Sequence, residues 1–247
     1  MRPEALNPLF ADAQSLKGVG PRIVTLLKKA FALPPGVTEP RVLDFLWHMP
    51  TGVIDRRSEP AIRDAVPGTI ATFAVRVMKH RPSPRGNNKA PYRVTCEDET
   101  GTLDLVFFRA ERTFIERQLP VGETRFVSGR VEAYGDKLQM VHPDYIVPPE
   151  ARDDLPMLEP VYPLTAGLSA KVLGKLSRQA IALVPEFEEW LSPQLLETRK
   201  WPSFNEALSH IHTPVDPTDV STGGLPWQRL AYDELLAGQL ALGLVRA

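Results

Sequence analysis

Over its 247 residues this chain has a single cysteine, no GxxxxGK[ST] segment and no apolar run near the ~18 residues that cross a bilayer. Each absence removes a class. Cys96 has no partner for an internal disulfide, and its alternation with Val94 and Tyr92 predicts a small buried side chain in a strand, as suits a reducing compartment. The opening MRPEALNPLF lacks the apolar centre of a signal peptide, so a cytoplasmic protein without a membrane partner is expected. Without a phosphate-cradling loop the chain holds no nucleotide in the Walker manner, and no cofactor is expected in it. The histidines are scattered. His210 and His212 lie two apart, on different faces of any helix, and His142-Pro143-Asp144 reads as a hydrogen-bonded turn, so neither a metal site nor a catalytic residue is predicted. A stand-alone nuclease would need the missing carboxylate or histidine cluster.

Acidic charge is also missing, locally. The whole chain sums to −1, which excludes a uniformly basic protein, but residues 1–65, 66–147 and 148–247 carry +2, +2 and −5. Between Val66 and Cys96 there is no aspartate or glutamate, while Arg76, Lys79, Arg81, Arg85, Lys89 and Arg93 all fall there. Such a strip neutralises phosphates and releases their counterions; the alternative is a solvated loop whose charges serve solubility.

What is present divides by period. Ala11 to Gln14, a helix from Pro21 with Ile23, Leu26, Leu27 and Ala30 on one face, and another over Val42–Trp47 form a helical segment, residues 1–65. From Val66 the period becomes two. Strands are predicted through Phe73 to Val77, Tyr92 to Cys96, Thr102 to Arg109, Arg125 to Tyr134 and Lys137 to Val147. A loop covers Arg81 to Pro91 and a helix Glu111 to Gln118. Five strands with a helix between the third and fourth is the order of an OB-fold barrel, here residues 66–147. Residues 148–247 return to helix: one capped by Ser169, then Pro193 to Arg199, Ser203 to Ile211 and a last from about Trp227. That last one has no glycine or proline stop, and the expectation is a chain cut within a helix. The class is α+β: a five-stranded OB-fold barrel between an N-terminal helical segment and a C-terminal helical linker.

If Leu103 and Leu105 are core, Phe107 shares their side and Phe108 points outward. An outward Phe108 beside Arg109 is a platform for a base or a wedge at a base step; otherwise it packs under the neighbouring helix. Arg76 and Arg93 are expected to flank it from adjacent strands, with Arg81, Arg85 and Lys89 following a backbone. Gly18 and Gly20, in Leu16-Lys17-Gly18-Val19-Gly20-Pro21, resemble a hairpin that brings backbone N–H groups to a phosphate, though such hairpins also merely connect helices.

The succession LKGVGP (16–21), DFLWHMPTGVIDRR (44–57), DETGTLDLVFF (98–108), QMVHPDY (139–145), PVYPLTAGLS (160–169), ALSHIHTP (207–214) and RLAYDELLAGQLAL (229–242) resembles the N-terminal region of the RecG family of ATP-dependent DNA helicases. The resemblance implies that the barrel is a wedge at the branch of a stalled fork or Holliday junction. Phe108 would then stand against the bases, with Phe107 as neighbour or core support. It further implies C-terminal motor domains as partners, and ATP and Mg2+ as requirements of the parent protein alone. Arg112, Arg117 and Arg130 match no motif and take no DNA role. The rival expectation is a structural or protein-interaction module without DNA affinity.

Overall fold

The computed structural model describes residues 3–83, 90–109 and 111–246, and the chain forms two compact units, one of residues 1–54 and 158–247, the other of residues 55–157. The division differs from three consecutive segments. Helices from both ends of the chain share one core, so the first unit is discontinuous and the barrel is inserted between its halves.

In the discontinuous unit, α1 (Pro21–Ala30) starts with proline at its first position, where the missing N–H costs nothing. It is followed by α2 (Val42–Trp47), whose Asp44 carboxylate accepts the Arg41 N–H at 2.7 Å. After the barrel come α4 (Ala170–Ile181), capped by the Ser169 hydroxyl, and α5 (Pro193–Arg199), capped by Ser192. Next are α6 (Phe204–His212), closed by a Ser203/Glu206 capping box, and the long α7 (Leu225–Arg246). Leu27, Val42 and Phe45 from the first half pack with Leu173, Ala180, Ala207 and Ile211 from the second. A polar pair is buried among them. The Tyr162 hydroxyl donates to Nδ1 of His212 at 3.0 Å and His212 Nε2–H donates to the Leu46 carbonyl at 3.0 Å, so the imidazole is held neutral.

The strands are β1 (Gly52–Asp55), β2 (Ile70–Arg81), β3 (Tyr92–Glu97), β4 (Thr102–Phe107), β5 (Thr124–Tyr134), β6 (Lys137–Val141), β7 (Tyr145–Val147) and β8 (Leu158–Val161). β1 and β8 pair with each other where the chain passes between the units. The rest form a sheet in the order β2-β3-β4-β6-β5-β7, closed by pairing of β2 with β5, with β4 and β6 parallel. Five of these strands make the closed OB-fold barrel, with α3 (Arg112–Gln118) between β4 and β5. Its core is Phe73, Val75, Val77, Val94, Cys96, Leu103, Leu105, Ile115, Val127 and Met140.

Two strand boundaries depart from expectation. β2 runs on to Arg81, which pairs with Arg93 rather than opening a loop; a register shift between Val77 and Lys79 breaks the alternation that would have shown it. The expected strand from Lys137 to Val147 is two strands, because His142 has φ +46° and Pro143 has no N–H to give the ladder. Gly129 on β5 makes room for this break: a Cβ there would stand 3.0 Å from Met140 Sδ and 3.3 Å from the Asp144 nitrogen.

Candidate nucleic-acid interface

Directly opposed residues of a sheet share a face, so the register defines the outer surface of the barrel. Arg81 stands opposite Arg93, Arg93 opposite Val106, and Val106 opposite Val141. A parallel row runs Lys79, Thr95, Asp104, Gln139, Glu132. Phe108 leaves the end of β4 on this surface.

Phe108 is 45% exposed, so it does not pack under α3. Phe107 turns the other way and packs against the barrel core. The Phe108 N–H donates to Nε2 of His142 at 3.2 Å, and both phenylalanine rings lie about 6 Å from that imidazole, Phe107 edge-on at 6.1 Å and Phe108 tilted at 6.0 Å. Arg109, next in the chain, is exposed and has φ +53°. Thus two of the three non-glycine residues with left-handed backbone among the described residues, Arg109 and His142, adjoin Phe108; the third, Lys200, ends α5. Such conformations cost roughly 1 kcal/mol or more each and persist where surrounding contacts enforce them.

Those contacts are visible. His142 donates its own N–H to the Val106 carbonyl at 2.9 Å. Two residues on, the Asp144 carboxylate accepts from Arg56 at 3.0 Å; Arg56 is 1% exposed, lies over the Tyr145 ring at 4.9 Å and reaches Ser128 Oγ at 3.3 Å. A buried guanidinium requires such compensation. It therefore anchors the turn that holds Phe108.

The predicted cations separate. Arg93 and Arg81 are on the surface near Phe108. Arg93 Nη1 donates to Gln139 Oε1 at 3.2 Å, and its guanidinium lies 5.6 Å from the centroid of the Tyr134 ring. Arg81 Nη2 donates to Thr95 Oγ1 at 3.1 Å, and the Thr95 hydroxyl donates to the buried Asp104 at 2.7 Å. Arg76 is not a flank of Phe108. It is opposite Glu97, four residues from Arg93 along β3, or roughly 13 Å at ~3.3 Å per residue. The shift at Val77/Lys79 and the length of β2 set it at the other end. Arg85 and Lys89 lie outside the described residues. Gly18 (φ +101°) and Gly20 belong to the helical unit, where Lys17 N–H donates to Gln179 Oε1 at 2.9 Å and Gln179 Nε2 returns a bond to the Lys17 carbonyl at 3.2 Å. Space around both glycines is open.

Tyr134, Gln139, Asp104, Thr95 and His142 were not among the sequence candidates for the surface. Only His142 carried a signal, as a turn; its bond to Phe108 joins segments 34 residues apart. Cys96 is fully buried, and loss of solvation, with Asp104 adding, pushes its thiol up to about 12, so it is inert. No group of histidines, cysteines and carboxylates among the described residues could hold a metal ion, and no described helix is long and apolar enough to cross a membrane.

Residues 71–148 match a family model described as an OB-fold nucleic acid binding domain. ATP-dependent DNA helicase RecG of Escherichia coli K12 is 32% identical over 252 residues, covering 94% of this chain and 33% of that protein. The RecG of Acidithiobacillus ferridurans is 27% identical, covering 96% and 33%. A solved structure of RecG bound to a three-way DNA junction superposes with a TM-score of 0.73 at 26% identity, covering 96% of this chain and 31% of that one. The chain spans about a third of the length of the curated relatives it matches. Along nearly its whole length, this chain matches the N-terminal region of the ATP-dependent DNA helicase RecG, with an OB-fold nucleic-acid-binding domain within it.

Proposed function

We propose that the chain is the branch-binding part of a RecG-type helicase, its barrel acting as a wedge at forks and Holliday junctions during repair and recombination. The observation that carries this is Phe108, exposed at the end of the sheet yet fixed through its backbone by His142. A held aromatic edge stacks on the last base pair while Arg93, Arg81, Arg109 and the segment with Arg85 and Lys89 hold the diverging backbones. Arg76, farther along β2, meets a backbone away from the branch. Gly18 and Gly20 offer a further phosphate contact from the helical unit.

The wedge is passive. Motor domains of the parent protein, fuelled by ATP with Mg2+, pull duplex past it. Exposed Leu235, Leu240, Leu242 and Leu244 on α7 provide the apolar surface on which such domains pack.

The test is fluorescence-anisotropy titration of the chain with a three-way fork, plain duplex and single strand at two salt concentrations. Tightest binding to the fork with a steep salt dependence supports the wedge. Binding that ignores both branch and salt would overturn it.

A further inference from the structure

We infer that Tyr134 and Arg93 form a second, separate base-stacking subsite, which takes one base of the single strand that leaves the branch at Phe108. It rests on the wedge reading for the source of that strand, but its geometry stands alone. Tyr134 ends β5 and is 67% exposed, the most open aromatic of the barrel. An exposed tyrosine at a hairpin end is unremarkable by itself; the neighbouring groups make this one a platform. Arg93 covers one side of the ring at 5.6 Å, and its guanidinium is fixed by Gln139 Oε1 at 3.2 Å. Gln139 is fixed in turn by its own Nε2–H to Glu132 at 3.1 Å. The ring is backed by a planar cation, and its exposed side is presented to solvent. A nucleobase has a π-face that stacks on such a ring whatever its identity, while the guanidinium draws its phosphate.

Spacing sets what the subsite does. Tyr134 is opposite Lys137, whereas Phe108 lies just beyond the Val106–Val141 pair. From Thr102 and Lys137 to Phe108 is about six residues in the shared register of β4 and β6, so the two backbones are roughly 20 Å apart at ~3.3 Å per residue. A strand with bases stacked at ~3.4 Å needs about six nucleotides to span that separation. The subsite thus measures the length of the single-stranded arm, a property that Phe108 cannot sense.

The experiment titrates the 247-residue chain with forks whose single-stranded arm is about two or about twelve nucleotides long, and with a twelve-residue oligothymidylate, on the spacing given by ~3.4 Å per nucleotide. Tyr134→Ala is expected to weaken the long-arm fork and the oligothymidylate roughly tenfold, within the roughly 5- to 150-fold span of one stacked base, and to leave the short-arm fork unchanged. Tyr134→Trp should restore binding. Equal affinities of Tyr134→Ala and the parent chain on every substrate would overturn the subsite, as would equal losses on short and long arms. So would a parent chain that binds neither the oligothymidylate nor the long arm better than the short one. If oligothymidylate binding depends on Tyr134 while forks are bound no better than single strands, the subsite stands and the wedge reading falls.

Discussion

Phe108 is an aromatic whose backbone is restrained more firmly than its ring. Phe108→Ala should weaken fork binding by about 1 to 3 kcal/mol, the worth of one stacked base, with less effect on duplex, read by anisotropy. His142→Ala removes the acceptor for the Phe108 N–H, a bond worth about 1 kcal/mol, and should weaken the fork in the same direction with the aromatic still present. His142→Asn keeps an acceptor and tolerates positive φ, so it should recover part of the loss. Parental affinity in His142→Ala would show that the bond does not position the ring. His212 answers to pH instead. Burial, opposed by its bond to the Leu46 carbonyl and helped by His48, pulls its folded value down from 6.5 to about 4. The unfolded state binds the proton first, so stability is complete above pH ~6.5 and is lost as pH falls towards ~4, by about 3 kcal/mol in all. Urea unfolding at stepped pH should show this slope, and His212→Gln should flatten it between those limits.

At the scale of elements, much was legible because one local signal sufficed. Ser169 and Ser203 cap helices, Pro21 opens one, and alternation through Phe73 to Val77 and Tyr92 to Cys96 shows strands. Asp98 illustrates the same economy: its carboxylate accepts from Thr100, Gly101 and Ile62 N–H groups, closing the turn between β3 and β4. What stayed hidden depends on register or distance. Neither the continuation of β2 to Arg81 nor the displacement of Arg76 can be read without the shift at Val77/Lys79. The pairing of Arg56 with Asp144 joins residues 88 apart, in two motifs that looked independent. Asp144→Ala leaves that buried guanidinium without its carboxylate and should cost about 2 to 3 kcal/mol of barrel stability by urea unfolding, at the lower side of the range for a broken buried pair because Asp144 is itself 44% exposed. Asp144→Asn, which keeps an acceptor, should cost less.

For the whole molecule the decisive fact is discontinuity. The sequence suggests a helical preface and a helical linker as separate pieces; in the structure they are two halves of one core, with Leu27 and Phe45 covered by α4 and α6 side chains. Deleting residues 158–247 should therefore unfold residues 1–54 as well and leave the barrel folded. Limited proteolysis should then cut before Asp55 and spare the strands; a protease-resistant N-terminal segment would contradict the shared core. The same arrangement orders events at the ribosome. Residues 55–157 must be made before the second half of the helical core exists, a delay of roughly 5 to 20 s at ~5–20 residues per second. Through that interval the apolar faces around Leu27 and Phe45 are uncovered, and at its end the barrel is able to close. Within these residues the barrel is complete before the helical core, and the helices made before it wait for those made after it.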